Sequence, residues 1–266
     1  MVVPLDREHL LAAVERSPRA AAAHDRAAWM GLFTADGRIE DPVGSRPHVG
    51  TAEIGRFYDT FIRPRDITFH RDLDIVFGTV VLRDLELEVA MGSAVTMHIP
   101  AFLRYDLREA QGEWRFAELR AFWELPAMML QFLRTGSAAM TPALQLSRDL
   151  FGIQRLRGTA GFISGFRRVG ARHKRLVQTF LDALARRDTG AALRTLSHTA
   201  TTTLGDADPL AVSELAEHVS GARFGKAIGS GSTVTVSLDS DHGRGILFAD
   251  VAWRGDAITS VRYFPA

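Results

Sequence analysis

The chain has 266 residues, a formal net charge of +1 and no cysteine. Its apolar content of 46% and charged content of 24% describe a globular protein that is long enough for two domains. The near-zero net charge produces no field that would attract nucleic acid, so we expect no nucleic-acid partner. The absence of cysteine excludes disulfides, thiol catalysis and cysteine-ligated metals.

The chain also lacks the usual signals for membranes, metals and cofactors. Residues 1–15 have no basic start followed by an apolar core, and no apolar run reaches 18 residues. We therefore expect a cytoplasmic protein without a spanning segment. The nine histidines show no HxH or HExxH spacing, which predicts no metal site, and no cofactor motif is present.

The first predicted elements are helices. Residues 6–16 form one helix, which we expect to end at Ser17-Pro18. Asp25 is a typical N-cap for the next helix, and Thr51 for a third that continues to Ile62. The third helix has an apolar stripe at helical spacing, formed by Ile54, Phe57, Tyr58 and Phe61.

Asp41 lies between the second and third of these helices, at the end of a short strand and in front of Pro42 and Gly44. A carboxylate held at such a turn can point into an apolar pocket. Burial there would raise its pKa toward the range that is useful for proton abstraction. The alternative is an ordinary Asp-Pro turn residue.

The hydrophobic period changes to two after the helices. Residues 67–78, 79–91, 93–106 and 113–125 are predicted strands, and their short separators favour an antiparallel meander. Met97, Ala101 and Leu103 share one face, which we expect to be concave. His98 should point to the opposite face.

Residues 126–170 interrupt this pattern with an apolar stretch, Met128–Leu133, and a basic segment. We interpret residues 131–169 as a helical, Arg-rich linker. Arg155–Arg175 could contact an anionic membrane surface or an acidic partner, and the alternative is a solvated helix face. From His173 onward the order of predicted elements repeats. In this repeat Asp188 is equivalent to Asp25, and Leu204 is equivalent to Asp41.

Three motifs carry a family resemblance. They are Glu40-Asp41-Pro42-x-Gly44 followed by Gly50, the pair Phe57-Tyr58, and Ala121-Phe122-Trp123. Together they resemble the ketosteroid isomerase-like and SnoaL-like proteins of the nuclear transport factor 2-like superfamily. The resemblance implies an α+β fold with two tandem cone-shaped domains, each with N-terminal helices packed on a curved antiparallel sheet. The implied domains are 1–130 and 170–266, and the second is degenerate.

The resemblance also implies site residues. It places the general base on Asp41, while Ser17 and Ala101 replace the two oxyanion donors of the family and Phe33 replaces a further tyrosine. Tyr58 or Ser17 would then have to polarise the substrate carbonyl, and His24 or His98 is an alternative acid. The implied ligand pocket is lined by Trp123, Ala101, Phe57, Met97, Leu103 and Phe33. For Phe57, plain core packing is the competing interpretation.

Two classes of function follow from these residues, and the sequence leaves open whether the protein is an enzyme. The first is a proton-transfer isomerase, dehydratase or cyclase that acts on a hydrophobic carbonyl compound with Asp41 as base and without metal. The second is a non-catalytic binding protein for a steroid- or polyketide-like ligand, or a scaffold that pairs two such domains. Both predict a small apolar molecule as partner, and the tandem repeat predicts intramolecular pairing.

Overall fold

The structure is a computed structural model of the chain, and it describes residues 6–91, 95–124, 128, 169–252 and 256–266. The chain divides into two compact units, Met1–Phe166 and Arg167–Ala266. These are named the N-terminal unit and the C-terminal unit. Most of the Arg-rich segment and of Met128–Leu133 lies outside the described residues. Among the described residues, no helix is long and apolar enough to cross a bilayer.

The N-terminal unit packs helices against one six-stranded sheet with the order β2-β1-β6-β5-β4-β3. Strands β3 to β6 form the predicted antiparallel meander. Strand β1 joins β6 in parallel, so the sheet is mixed and not purely antiparallel as predicted. Each turn of the meander reverses the direction of the chain. After the three turns, β6 lies beside β1 and runs in the same direction as β1. The elements are α1 Arg7–Ala22, α2 Arg26–Gly31, β1 Phe33–Glu40, β2 His48–Val49, α3 Gly50–Phe57, a π-helical segment Tyr58–Ile62, β3 Asp66–Phe77, β4 Val80–Met91, β5 Val95–Ala110 and β6 Glu113–Phe122.

Helix α1 continues through Pro18, so the predicted break at Ser17-Pro18 is wrong. Proline removes one backbone donor from a helix interior and normally kinks or ends it. Here the buried residues Val14, Ser17 and Ala21 lie on one continuous face on both sides of Pro18. Packing of that face on the core keeps the helix intact, because most helix stability in proteins comes from tertiary burial.

The caps of the next two helices differ in how well the sequence predicted them. Asp25 accepts a hydrogen bond from the Ala28 amide at 2.9 Å, as predicted. Thr51 is not a cap, because α3 already begins at Gly50. Glu53 accepts the backbone N–H of Val49 at 3.0 Å and so satisfies a donor that a Thr51 cap would not reach.

The C-terminal unit repeats the topology of the N-terminal unit. Its six-stranded sheet has the order β8-β7-β12-β11-β10-β9. Asp208-Pro209 pairs with β7, and the next helix begins at Val212. The elements are α4 Ala171–Ala185, α5 Thr189–Leu193, β7 Leu196–Leu204, β8 Asp208–Pro209, α6 Val212–His218, β9 Arg223–Ser230, β10 Thr233–Ser240, β11 Gly243–Val251 and β12 Ile258–Pro265.

The parallel strand pair has the same register in both units. In the β1–β6 pair the register shifts between Phe33 and Arg38 of β1. In the β7–β12 pair it shifts in the same way, between Ile258 and Ser260 of β12. Asp188 caps α5 through the Ala191 amide, just as Asp25 caps α2. The two units are therefore two tandem copies of one α+β topology. The matching pairs are Arg38–Glu118 with Thr201–Ser260, Ile39–Leu119 with Thr202–Val261, and Glu40–Arg120 with Thr203–Arg262.

Each unit has its own apolar core between its helices and one face of its sheet. In the N-terminal unit that inner face of β5 presents Val95, Met97, Ile99, Ala101 and Leu103, all of which are buried. Met128 packs against this core.

Candidate functional site

Asp41 follows the last residue of β1, in a loop that several backbone hydrogen bonds fix. The Val43 amide donates to the Ala121 carbonyl at 2.8 Å. The Gly44 amide donates to the Glu40 carboxylate at 2.7 Å. The Asp41-Pro42 peptide bond is cis. These contacts fasten the loop to β6 on one side and to the end of β1 on the other.

An indole N–H binds the Asp41 carboxylate. Trp123 donates its Nε1–H to Oδ1 of Asp41 at 2.5 Å. Burial raises the pKa of Asp41 to about 6, although the Trp123 hydrogen bond lowers it in part. A carboxyl group with this pKa is largely ionised at neutral pH and can return its proton at little cost, as general acid–base chemistry requires.

The predicted pocket residues on β5 lie on the inner face. Met97, Ala101 and Leu103 are all buried and belong to the N-terminal core. The alternate residue His98 is exposed on the opposite face and pairs with Glu86 at 2.9 Å, as predicted from the strand period. His24 is also exposed and contacts Asp66 at 3.1 Å. Both histidines thus have carboxylate partners other than Asp41.

Phe33, Phe57 and Tyr58 meet around Trp29. The ring centroid of Trp29 lies 5.1 Å from Phe33, 6.2 Å from Phe57 and 5.4 Å from Tyr58. These rings are core residues, which agrees with the competing interpretation of Phe57. Tyr58 is fully buried, and within the described residues its hydroxyl has no hydrogen-bond partner. Burial raises the pKa of Tyr58, so the hydroxyl keeps its proton and can serve as a donor.

Ser17 is buried in α1, where its hydroxyl lies within hydrogen-bonding reach of Tyr105 from β5. Burial raises the pKa of Tyr105 well above its ordinary value. The Tyr105 ring lies beside Arg83, whose guanidinium binds Asp74 at 2.8 Å and Glu15 at 3.0 Å. The structure thus places Ser17 in a buried polar network, whereas the sequence suggested a substrate contact.

His48 is a residue that the motif analysis did not select. It lies on the two-residue strand β2, with its ring centroid 5.2 Å from Phe57. Two residues are too short to show a hydrophobic period, so strand β2 gave no signal in the sequence. Among the described residues, no cluster of three or more His, Asp or Glu side chains is suited to a metal ion.

The described residues of the C-terminal unit have different side chains at the positions equivalent to Asp41 and Ala121. By register Leu204 stands where Asp41 would be, and Tyr263 stands where the N-terminal unit has Ala121. The Tyr263 ring lies over Gly245, so closely that a Cβ at Gly245 would meet Cε2 of Tyr263 at 2.6 Å. A tyrosine side chain thus occupies the position that Ala121 takes in the N-terminal unit.

Helices packed on a six-stranded mixed sheet, with a partly buried carboxylate after the first strand, define the class of the N-terminal unit as a cone-shaped α+β domain. Residues 10–131 match the family model of the nuclear transport factor 2 (NTF2) domain. The N-terminal unit is therefore similar to the NTF2 domain over these residues, and the C-terminal unit repeats its topology.

Several solved structures are similar to part of the chain. The RV0760c protein from Mycobacterium tuberculosis, in complex with estradiol-17β-hemisuccinate, is 25% identical with a TM-score of 0.40, over 44% of this chain and 95% of that one. A Δ5-3-ketosteroid isomerase from Mycobacterium sp. is 25% identical with a TM-score of 0.41, over 45% and 95%. An LEH-like epoxide hydrolase of M. tuberculosis is 16% identical with a TM-score of 0.42, over 51% and 97%.

Proposed function

We propose that the N-terminal unit binds an apolar carbonyl compound and that Asp41 acts as a general base on it. The observation that carries this proposal is the Asp41–Trp123 pair, a carboxylate with a pKa of about 6 that an indole N–H orients beside an apolar core. In the proposed step, Asp41 removes a proton from the carbon next to the carbonyl. The C–H electron pair becomes the double bond of an enolate, and Asp41 returns the proton at a conjugated carbon.

The enolate oxygen needs a donor, and Tyr58 is the donor in this proposal. Its hydroxyl is buried, protonated and without a hydrogen-bond partner among the described residues, so a ligand oxygen would satisfy it. Ser17 is less suited, because its hydroxyl is beside Tyr105. The pocket residues Trp123, Ala101, Phe57, Met97, Leu103 and Phe33 remain a proposal for the apolar lining.

A binding protein without catalysis is the second candidate. It is favoured by Ala101 on the inner face of β5, where the family resemblance implies an acidic donor. One missing oxyanion donor commonly lowers the rate by about 10²–10³. A pocket with one donor and an apolar wall could therefore retain ligand and yet turn it over slowly.

The test is turnover of a β,γ-unsaturated 3-ketosteroid by the full chain, followed through the absorbance of the conjugated product. We expect slow conversion that is lost in Asp41→Asn, with His70→Gln on the exposed face as the matched control. Estradiol, measured by calorimetry, tests binding separately. Binding without turnover selects the binding protein, and turnover that persists in Asp41→Asn removes Asp41 from the mechanism.

A further inference from the structure

His48 lies on the edge strand β2, beside the end of β1 that leads to Asp41. His48 is directly opposite Ile39 in the antiparallel pair of β1 and β2. Opposite residues of such a pair present their side chains on one face. Ile39 is fully buried in the N-terminal core, so this is the inner face. Asp41 comes directly after β1, and its hydrogen-bond partner Trp123 belongs to the same N-terminal core as Ile39.

The His48 imidazole differs from the other histidines of this unit in its surroundings. His24, His70 and His98 each contact a carboxylate, whereas no hydrogen bond to the His48 ring occurs within the described part of the chain. The charged groups that act on it are Arg46 from the loop and Glu53 and Arg56 from α3. Burial and the two arginines lower the pKa of His48, while Glu53 raises it. The ring is therefore neutral at pH 7, with one N–H donor.

We propose that His48 is a catalytic residue of the Asp41 site, the second hydrogen-bond donor to the ligand oxygen beside Tyr58. This inference rests on the proposed function and names a donor that the family resemblance does not supply. Asp41 takes the proton from carbon, and the negative charge appears on the ligand oxygen. The neutral imidazole N–H donates to that oxygen and keeps its own proton, so no further proton leaves or enters. Arg46 and Arg56, the arginines that act on His48, are both paired with Glu53.

The first experiment needs no ligand. The full chain is labelled with ¹⁵N-histidine, the His48 signals are assigned from His48→Gln, and their pH dependence is recorded. If both groups line one site, Asp41→Asn changes the curve, through a lower His48 midpoint or the loss of an inflection near pH 6. Glu53→Gln is the positive control and lowers the midpoint, because Glu53 raises the pKa of His48. A His48 curve that responds to Glu53→Gln but not to Asp41→Asn overturns the inference.

The second experiment uses estradiol, whose phenol resembles the enol form of a carbonyl ligand. Loss of a buried hydrogen bond weakens binding by about tenfold, so His48→Phe should raise the Kd by that factor. His48→Gln should recover part of the loss, and exposed His70→Gln should change nothing. Equal affinity of the parent chain and His48→Phe overturns the inference. If the parent chain does not bind estradiol, the proposed ligand class fails, and the ligand-free experiment alone decides about His48.

Discussion

The pKa of Asp41 has a direct consequence for stability. A pKa raised to about 6 means that the folded state favours the neutral carboxyl, while an unfolded aspartate ionises near its usual value of about 3.9. The cost to stability is absent below pH 4, grows between about pH 4 and 6, and is complete above pH 6. Asp41→Asn should therefore stabilise the chain at pH 8 by up to about 3 kcal/mol and change little at pH 4, as urea unfolding would measure.

The control for that prediction is Asp72→Asn, in the exposed part of β3. It makes the same change of charge on an exposed strand, so it separates the effect of the Asp41 environment from that of net charge. A stabilisation by Asp41→Asn that is equal at pH 4 and pH 8 would mean that Asp41 is not held in an apolar setting.

Trp123 should control the acidity of Asp41. Its indole donates to the ionised carboxylate, and hydrogen bonds to charged groups contribute about 1.5–3 kcal/mol. Trp123→Phe should therefore raise the pKa of Asp41 by about one pH unit or more. The measurement is the ¹³C carboxyl shift of Asp41 against pH. Trp114→Phe is the matched control, because the Trp114 indole N–H has no partner among the described residues. An unchanged Asp41 midpoint in Trp123→Phe would falsify this role.

Asp41 could be selected from the sequence because its motif is local: a strand, a proline turn and a helix follow one another. His48 and Tyr105 could not be selected in that way. His48 has meaning only through its pairing with Ile39, and Tyr105 only through its approach to Ser17 in a distant helix. Such contacts depend on the closed fold and leave no periodic pattern.

Among the secondary-structure elements, helix α1 is linked to the sheet by the side chain of Arg83. Its guanidinium is 2% exposed and binds Asp74 of β3 and Glu15 of α1. Removal of one partner from a buried ion pair typically costs about 3–5 kcal/mol, because the other charge stays buried. Arg83→Met should destabilise the chain by that order in chemical denaturation.

The control is Arg71→Met, which removes a second arginine from the same Asp74. Arg71 is 57% exposed and lies 3.2 Å from Asp74, so we expect a loss below about 1 kcal/mol. Equal effects of the two substitutions would show that Arg83 has no special part in holding α1. By register Val236 takes the place of Arg83 in the C-terminal unit, which shows that the topology does not need this ion pair.

Strands in which apolar and polar residues strictly alternate could be predicted from the sequence, whereas strands without this alternation could not. Leu85, Leu87 and Val89 alternate with acids along β4, and the structure places this strand at Val80–Met91, close to the predicted bounds. Strand β7, with the sequence LSHTATTTL, has no such alternation, and β9 contains two glycines. Their pairing partners stabilise them, since strand preference depends on context more than helix preference does.

For the whole molecule, the prediction of intramolecular pairing between the two units stands as a prediction. The family resemblance implies pairing through the outer faces of the sheets. The outer face of the N-terminal sheet carries the apolar side chains of Leu82, Phe102 and Phe122. A chain of residues 1–130 alone should therefore self-associate or unfold more easily than the full chain. Sedimentation velocity and thermal unfolding of both chains measure this.

The outcome against this prediction is a fragment that is monomeric and as stable as the full chain. The same fragment with Phe102→Lys tests whether the outer face of the sheet makes the contact. The added charge should reduce self-association if the outer face is the contact, and should leave it unchanged if association arises elsewhere.

The shared register of the two sheets gives the molecule an internal reference for spectroscopy. Backbone amides at equivalent ladder positions experience the same buffer, temperature and additive within one sample. Leu103 pairs with Ala121 as Leu247 pairs with Tyr263. A chemical-shift change at Leu103 and Ala121 without one at Leu247 and Tyr263 therefore reports binding at the carboxylate. A chemical-shift change at all four positions reports only a change in buffer, temperature or additive.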